Sequence, residues 1–259
     1  NKQPIMKKVL YLVGITVLMS CGESKESAID AVLQEKVDSV LHEKMSEISA
    51  MSGQAIVMDY QTGEVVAMVG EMKKQESPLL CAVDVYNALS TGKVSLTDTV
   101  DVGEGILVMD CDTIMDHNWV RGGYGKITLL DGVAHKSNIA VVKALQIAGV
   151  EPTDSLVTPI EVAELFRQIS RDENVNAALR YCVTDGVSQR AASETVDVAG
   201  MPGSCEVGDG IYAVEFCGYF PAESPKYVVA VSMNKKGYPA SGAIMAGSVF
   251  RQIVDLMTE

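Results

Sequence analysis

The chain has 259 residues, 47% of them hydrophobic and 5% aromatic, with a formal net charge of -13. That length suits one domain with a well-buried, mostly aliphatic core. The acidity excludes a nucleic-acid binder and a protein lying flat on an anionic leaflet, both of which need clustered Lys and Arg.

Lys7 and Lys8 precede the apolar run from Val9 to Met19, which ends in Leu18-Met19-Ser20-Cys21. A charged start followed by a run too short for a comfortable membrane span is the pattern of an export signal. The ending resembles a bacterial lipobox, so Cys21 is expected to carry a lipid. The expected division is a signal segment over 1–20, a polar tether over 21–28 and one domain over 29–259. Five further cysteines remain, Cys81, Cys111, Cys182, Cys205 and Cys217. Their odd number and lack of a CxxC spacing do not make a disulfide framework, although export leaves one or two bridges open.

Apolar residues at Ile29, Val32, Leu33, Val37, Val40, Leu41, Met45 and Ile48 fall at helical spacing, and Met51-Ser52-Gly53 is expected to break that helix. Gln54 to Tyr60 and Glu64 to Val69 predict a hairpin around Gln61-Thr62-Gly63. Leu79 to Leu89 predicts a buried helix, and Val94 to Gly125 an irregular stretch rich in Asp and Gly. Helices follow over Thr128 to Ala134 and Asn138 to Ala148, with Gly149 as the stop. Thr158-Pro159 caps and opens another helix, running to about Ile169. Val196 to Val207, Ile211 to Phe220 and Lys226 to Met233 predict three strands, and Ala243 to Met257 a last helix. This order predicts an α+β fold: a five-stranded antiparallel sheet, the middle helices on one face and the terminal helices on the other.

Seven segments, in order, resemble the transpeptidase domain of penicillin-binding proteins. They are Ile29 to Gln34, Ala55 to Val69, Ala88 to Val94, Gly123 to Asn138, Val157 to Ala163, Val198 to Ser204, and Phe216 to Ala222 followed by the strand from Tyr227 to Val231. The resemblance implies the serine β-lactamase/transpeptidase-like fold. It also implies acyl transfer by a serine in Ser-x-x-Lys, with Ser-x-Asn and Lys-Thr-Gly completing the pocket.

The same resemblance puts Pro78 at the nucleophile position and Cys81 at the position of its lysine. Moving the frame by one brings in Ser77, whose third neighbour is Leu80. The second motif reads Lys136-Ser137-Asn138, with Lys in place of the first Ser. The third reads Met201-Pro202-Gly203-Ser204, with Met in place of Lys and a Pro that withholds an N–H from a docking strand. Ser77, Pro78, Cys81, Lys136, Asn138, Met201, Gly203 and Ser204 are therefore expected to line a vestigial pocket with no catalytic residue. Lys136 is expected to reach solvent or to pair with a carboxylate such as Asp84.

Other constellations are weaker. Ser90-Thr91-Gly92-Lys93 and Ser232-Met233-Asn234-Lys235 match Ser-x-x-Lys as strings but sit at a helix end and a strand end. Asp110, Cys111, Asp112, Asp116 and His117 are metal-ligand types at a spacing that matches no known site, and the polar-loop reading is preferred. His42 and His135 are isolated. No metal and no cofactor are expected.

The expected function is a non-catalytic lipoprotein of the cell envelope, held to the membrane by its lipid and binding peptidoglycan or cell-wall synthesis proteins. The alternative is an acyltransferase or hydrolase with displaced groups, such as Ser77 or Cys81 served by Lys136.

Overall fold

A computed structural model describes residues 30–109 and 112–258. The signal segment, the tether, Cys21, Asp110 and Cys111 lie outside the described residues. Helix α1, Ala31–Ile48, opens on Asp30, whose carboxylate accepts the N–H groups of Val32 and Leu33 at 2.9 and 3.0 Å. It buries Val37 and Leu41 and ends at Ser49, which takes the left-handed conformation at φ 53°. The break therefore precedes Met51-Ser52-Gly53, which instead belongs to strand β1, Ala50–Asp59. A single αL residue turns the chain here, so no glycine is needed. The hairpin to β2, Val65–Gly70, closes on Asp59, which accepts from Gln61 and Thr62 N–H at 2.9 and 2.8 Å.

A 3₁₀ turn over Pro78–Leu80 leads into α2, Cys81–Leu89. The stretch expected to be irregular contains four short strands: β3 Thr99–Gly103, β4 Ile106–Met109, β5 Asp112–Met115 and β6 Gly125–Thr128. β3 pairs with β6 and β4 with β5, both antiparallel. Strands of four or five residues joined by left-handed glycines are too short to show a clear alternation. Helices α3, Leu129–Ala134, α4, Asn138–Ala148, and α5, Pro159–Ile169, fall where expected. Thr158 and Glu161 form a reciprocal capping box on α5. Residues 170–195, for which the sequence reading names no element, hold α6, Glu173–Thr184, capped by Asp172 and burying Val175, Ala178, Leu179, Cys182 and Val183.

Strands β7, Ala199–Gly208, β8, Ile211–Phe220, and β9, Tyr227–Lys236, precede α7, Ala246–Thr258. The main sheet has the order β2-β1-β9-β8-β7, with every neighbouring pair antiparallel. Strands buried on both faces read as continuous apolar runs, as in Val228 to Val231. One core packs α2 to α6 against one face, through residues such as Leu80, Leu129, Phe166 and Tyr219. The other packs α1 and α7 on the opposite face, where Phe216 and Phe250 meet at 4.7 Å between ring centroids. Burial of each such side chain contributes about 1.5–3 kcal/mol. Among the described residues no helix is long and apolar enough to cross a membrane.

Candidate functional site

Three separate parts of the chain meet where α2 begins. Cys81 opens α2, Lys136 lies in the turn between α3 and α4, and Met201 is on the edge strand β7. Lys136 Nζ donates to Cys81 Sγ at 2.7 Å, and it also approaches the Pro78 carbonyl at 3.4 Å and Met201 Sδ at 3.6 Å. Cys81 Sγ lies 3.4 Å from the same Met201 sulfur. Lys136 is one of three described non-glycine residues with positive φ, at 56°. That conformation costs an L-residue about 1–2 kcal/mol, and the turn is fixed by Lys136 N–H to Val133 and Ser137 N–H to Gly132.

The expected pairing of Lys136 with Asp84 is not what forms. Asp84 accepts the Thr153 N–H at 2.8 Å, and Lys136 stays half-buried with its ammonium on sulfur. Burial is the main influence on Asp84 and raises its carboxyl above the usual range, against the Thr153 hydrogen bonds and the Lys136 charge. A cavity of about 160 Å³ opens beside these groups, lined by Cys81, Asp84, Lys136, Asn138, Leu145 and Met201 among others. Its wall is mostly apolar, with one cation and one carboxyl.

The remaining sequence-derived positions divide. Pro78 and Gly203 are in direct contact, because β7 runs against the 3₁₀ turn. Pro202 is buried on that edge strand, where a missing N–H is tolerated. Ser204 is exposed. Asn138 is also exposed, and its amide donates to the Met115 carbonyl at 2.9 Å. Ser77 does not face Lys136. It caps the 3₁₀ turn and donates to Glu215 Oε2 on β8.

Glu215 is a residue that sequence reasoning missed. It is 3% exposed and accepts from Ser77, from Ser232 Oγ at 2.7 Å and from Gln75 Nε2 at 3.4 Å. Burial pushes its carboxyl up, and these hydrogen bonds only partly oppose that. The signal was a lone Glu between Val214 and Phe216 in an otherwise apolar strand. The same network shows that Ser232 does not belong to a Ser-x-x-Lys pair, since Lys235 Nζ holds the Lys236 and Gly237 carbonyls. Ser90 and Lys93 likewise bond backbone carbonyls, those of Tyr86 and Ala148.

Asp116 also has a role other than the one weighed from the sequence. It is fully buried and accepts from Ser137 Oγ at 2.6 Å and Ile139 N–H at 3.1 Å, locking the start of α4 and hence the Lys136 turn. His117 bonds the Tyr124 hydroxyl at 3.2 Å, and Tyr124 stacks on His135. Among the described residues no cluster of three or more His, Cys, Asp or Glu could hold a metal ion.

The fold has clear counterparts. The transpeptidase domain of penicillin-binding protein 3 from Burkholderia pseudomallei superposes with a TM-score of 0.77, over 91% of this chain and 96% of that one, at 21% identity. This chain has the penicillin-binding transpeptidase fold. A peptidoglycan glycosyltransferase from Burkholderia ambifaria matches this transpeptidase fold with a TM-score of 0.76 at 21% identity, over 90% and 96% of the two chains. The transpeptidase domain of the FtsI4 D,D-transpeptidase from Legionella pneumophila matches with 0.67 at 19%, over 92% and 100%. No family model and no curated protein matches the sequence. In this transpeptidase fold the start of α2, the α3–α4 turn and β7 are the three parts that meet at the cavity.

Proposed function

We propose that this protein is a non-catalytic relative of the penicillin-binding transpeptidases, acting in the cell envelope as a binding or scaffolding lipoprotein. Its partners are peptidoglycan or the proteins that build it, and the lipid on Cys21 holds it to the membrane. The observation that carries this reading is the environment of the serine nearest the start of α2. Ser77 is turned to a buried acid, Pro78 offers no nucleophile, and the one ammonium at the cavity serves a sulfur. A serine needs a base within hydrogen-bond reach and a carbonyl it can approach, and neither Ser77 nor Glu215 lines the cavity.

A specific observation favours a second reading, the 2.7 Å contact between Lys136 and Cys81, which is the geometry of an assisted thiol nucleophile. Against acyl transfer stands β7, where Met201 Sδ lies 3.4 Å from the Cys81 sulfur and Pro202 offers no N–H to an oxyanion. A fluorescent penicillin decides between them. The pseudo-enzyme reading expects no covalent label under native conditions. Labelling that disappears in Cys81→Ala supports the acyltransferase.

A further inference from the structure

The Cys81–Lys136 contact has a chemistry that needs no oxyanion donors, namely oxidation at sulfur. We propose that Cys81 and Lys136 are a modification site at which a hydroperoxide closes a covalent sulfur–nitrogen bridge in the wall of the cavity. The site is independent of whether the cleft also binds a peptide.

The argument is geometric. A thiolate is the form that attacks a peroxide, and the amine that would close on an oxidised sulfur must already be in contact with it. Here the ammonium lies 2.7 Å from sulfur, both residues are half-buried, and both face the same cavity of about 160 Å³, room for a small hydroperoxide. The left-handed turn at Lys136 brings its backbone to the start of α2, where the ammonium reaches sulfur. The described thiols Cys81, Cys182, Cys205 and Cys217 are all free. Burial pushes the Cys182 and Cys205 thiols up to about 12, and also raises Cys217, so these remain protonated at neutral pH.

The steps balance. The Cys81 thiolate attacks one peroxide oxygen, the O–O bond breaks, and sulfur is oxidised by two electrons while the peroxide is reduced. The departing alkoxide or hydroxide takes a proton from the Lys136 ammonium, leaving a sulfenic acid beside a neutral amine. The amine lone pair then attacks sulfur and the S–O bond breaks. The leaving hydroxide takes a proton from nitrogen and departs as water. The product is a Cys81–Lys136 sulfenamide, which ties the first turn of α2 to the α3–α4 turn. Two equivalents of an external thiol reverse it and are themselves joined as a disulfide.

The test is peptide mass spectrometry on the folded full chain after titration with hydrogen peroxide. The expected product joins the Cys81 and Lys136 peptides at two hydrogens below their summed mass and is separated again by dithiothreitol. In Lys136→Arg, which keeps a cation but lacks the amine, the joined species falls to background and dimedone captures Cys81 instead. Oxidised wild type melts at a higher temperature than reduced, a shift absent from Lys136→Arg. Two outcomes overturn the proposal, and both are read in wild type, so neither depends on the variant folding. One is oxidation of Cys81 to sulfinic or sulfonic acid with no joined peptide. The other is a reduced Cys81 at peroxide levels that already oxidise Cys205.

Discussion

Pro78 fills the space that a side chain at Gly203 would need. A Cβ built on Gly203 would lie 2.7 Å from both Cβ and Cγ of Pro78 and 3.2 Å from its carbonyl carbon. The φ of Gly203 is ordinary, so glycine is needed here for room and not for conformation. The 3₁₀ turn sits directly against the edge strand, and the proline ring fills the gap.

This contact makes Gly203→Ala costly. The added methyl overpacks a proline that cannot rotate away, and overpacking costs about 1–3 kcal/mol. Urea denaturation should show a midpoint lowered accordingly with an unchanged slope. Gly203→Ala in a Pro78→Gly background should lose less than in wild type, because both obstructing ring atoms, Cβ and Cγ, are gone.

Restoring two motif residues should not restore activity. Pro78→Ser with Cys81→Lys supplies a hydroxyl in the 3₁₀ turn and an amine at the start of α2, yet Met201 and Pro202 still stand on β7. It also places a second cation against Lys136, which destabilises both. The expected result is no fluorescent-penicillin labelling. Rapid labelling of the double variant would mean that the cleft is nearly competent.

Glu215 should make stability pH-dependent. Its carboxyl is raised above the ordinary 4.5 mainly by burial. The native state therefore holds the proton more firmly than the unfolded chain, and stability falls as pH rises from 4.5 through the folded value. Glu215→Gln keeps a neutral polar group in the network and removes that titration. Melting curves from pH 4 to 9 should show a flatter profile for the variant from about pH 4.5 upward, until Glu215 ionises in the folded wild type. Parallel profiles would mean that Glu215 titrates alike in both states.

Asp116 should matter for the site at a distance. Asp116→Ala leaves the Ser137 hydroxyl and the Ile139 N–H without their acceptor, at a cost of about 1–3 kcal/mol. Because the same contacts hold the Lys136 turn, thiol alkylation kinetics at Cys81 should also change. A stability loss with unchanged kinetics would mean that the turn is held by its own backbone bonds.

Cys21→Ser is expected to release the protein from the membrane fraction, since acyl chains and not a spanning helix are proposed to hold it. Retention of an uncleaved chain on the membrane would identify the segment as an ordinary anchor.

The sequence alone determined the sheet and most of its helices, because the features that specify them are local. The Val57–Ala67 hairpin, the Thr158-Pro159 cap and the Gly149 stop each depend on residues a few positions apart. The strands buried on both faces announce themselves as apolar runs. The helix Glu173–Thr184 escaped although Val175, Ala178, Leu179 and Cys182 have helical spacing, for they lie among polar residues such as Asn174, Asn176 and Arg180. Which residues would converge was also legible through the resemblance: Pro78, Cys81, Lys136 and Met201 do meet. Their partners were not. That Lys136 rests on Cys81 and not on Asp84, and that Ser77 turns to Glu215, depends on a left-handed turn at Lys136 and on the register of β8 against β7. Those contacts span 55 and 138 residues of chain, and only the packed fold brings such groups within hydrogen-bond reach.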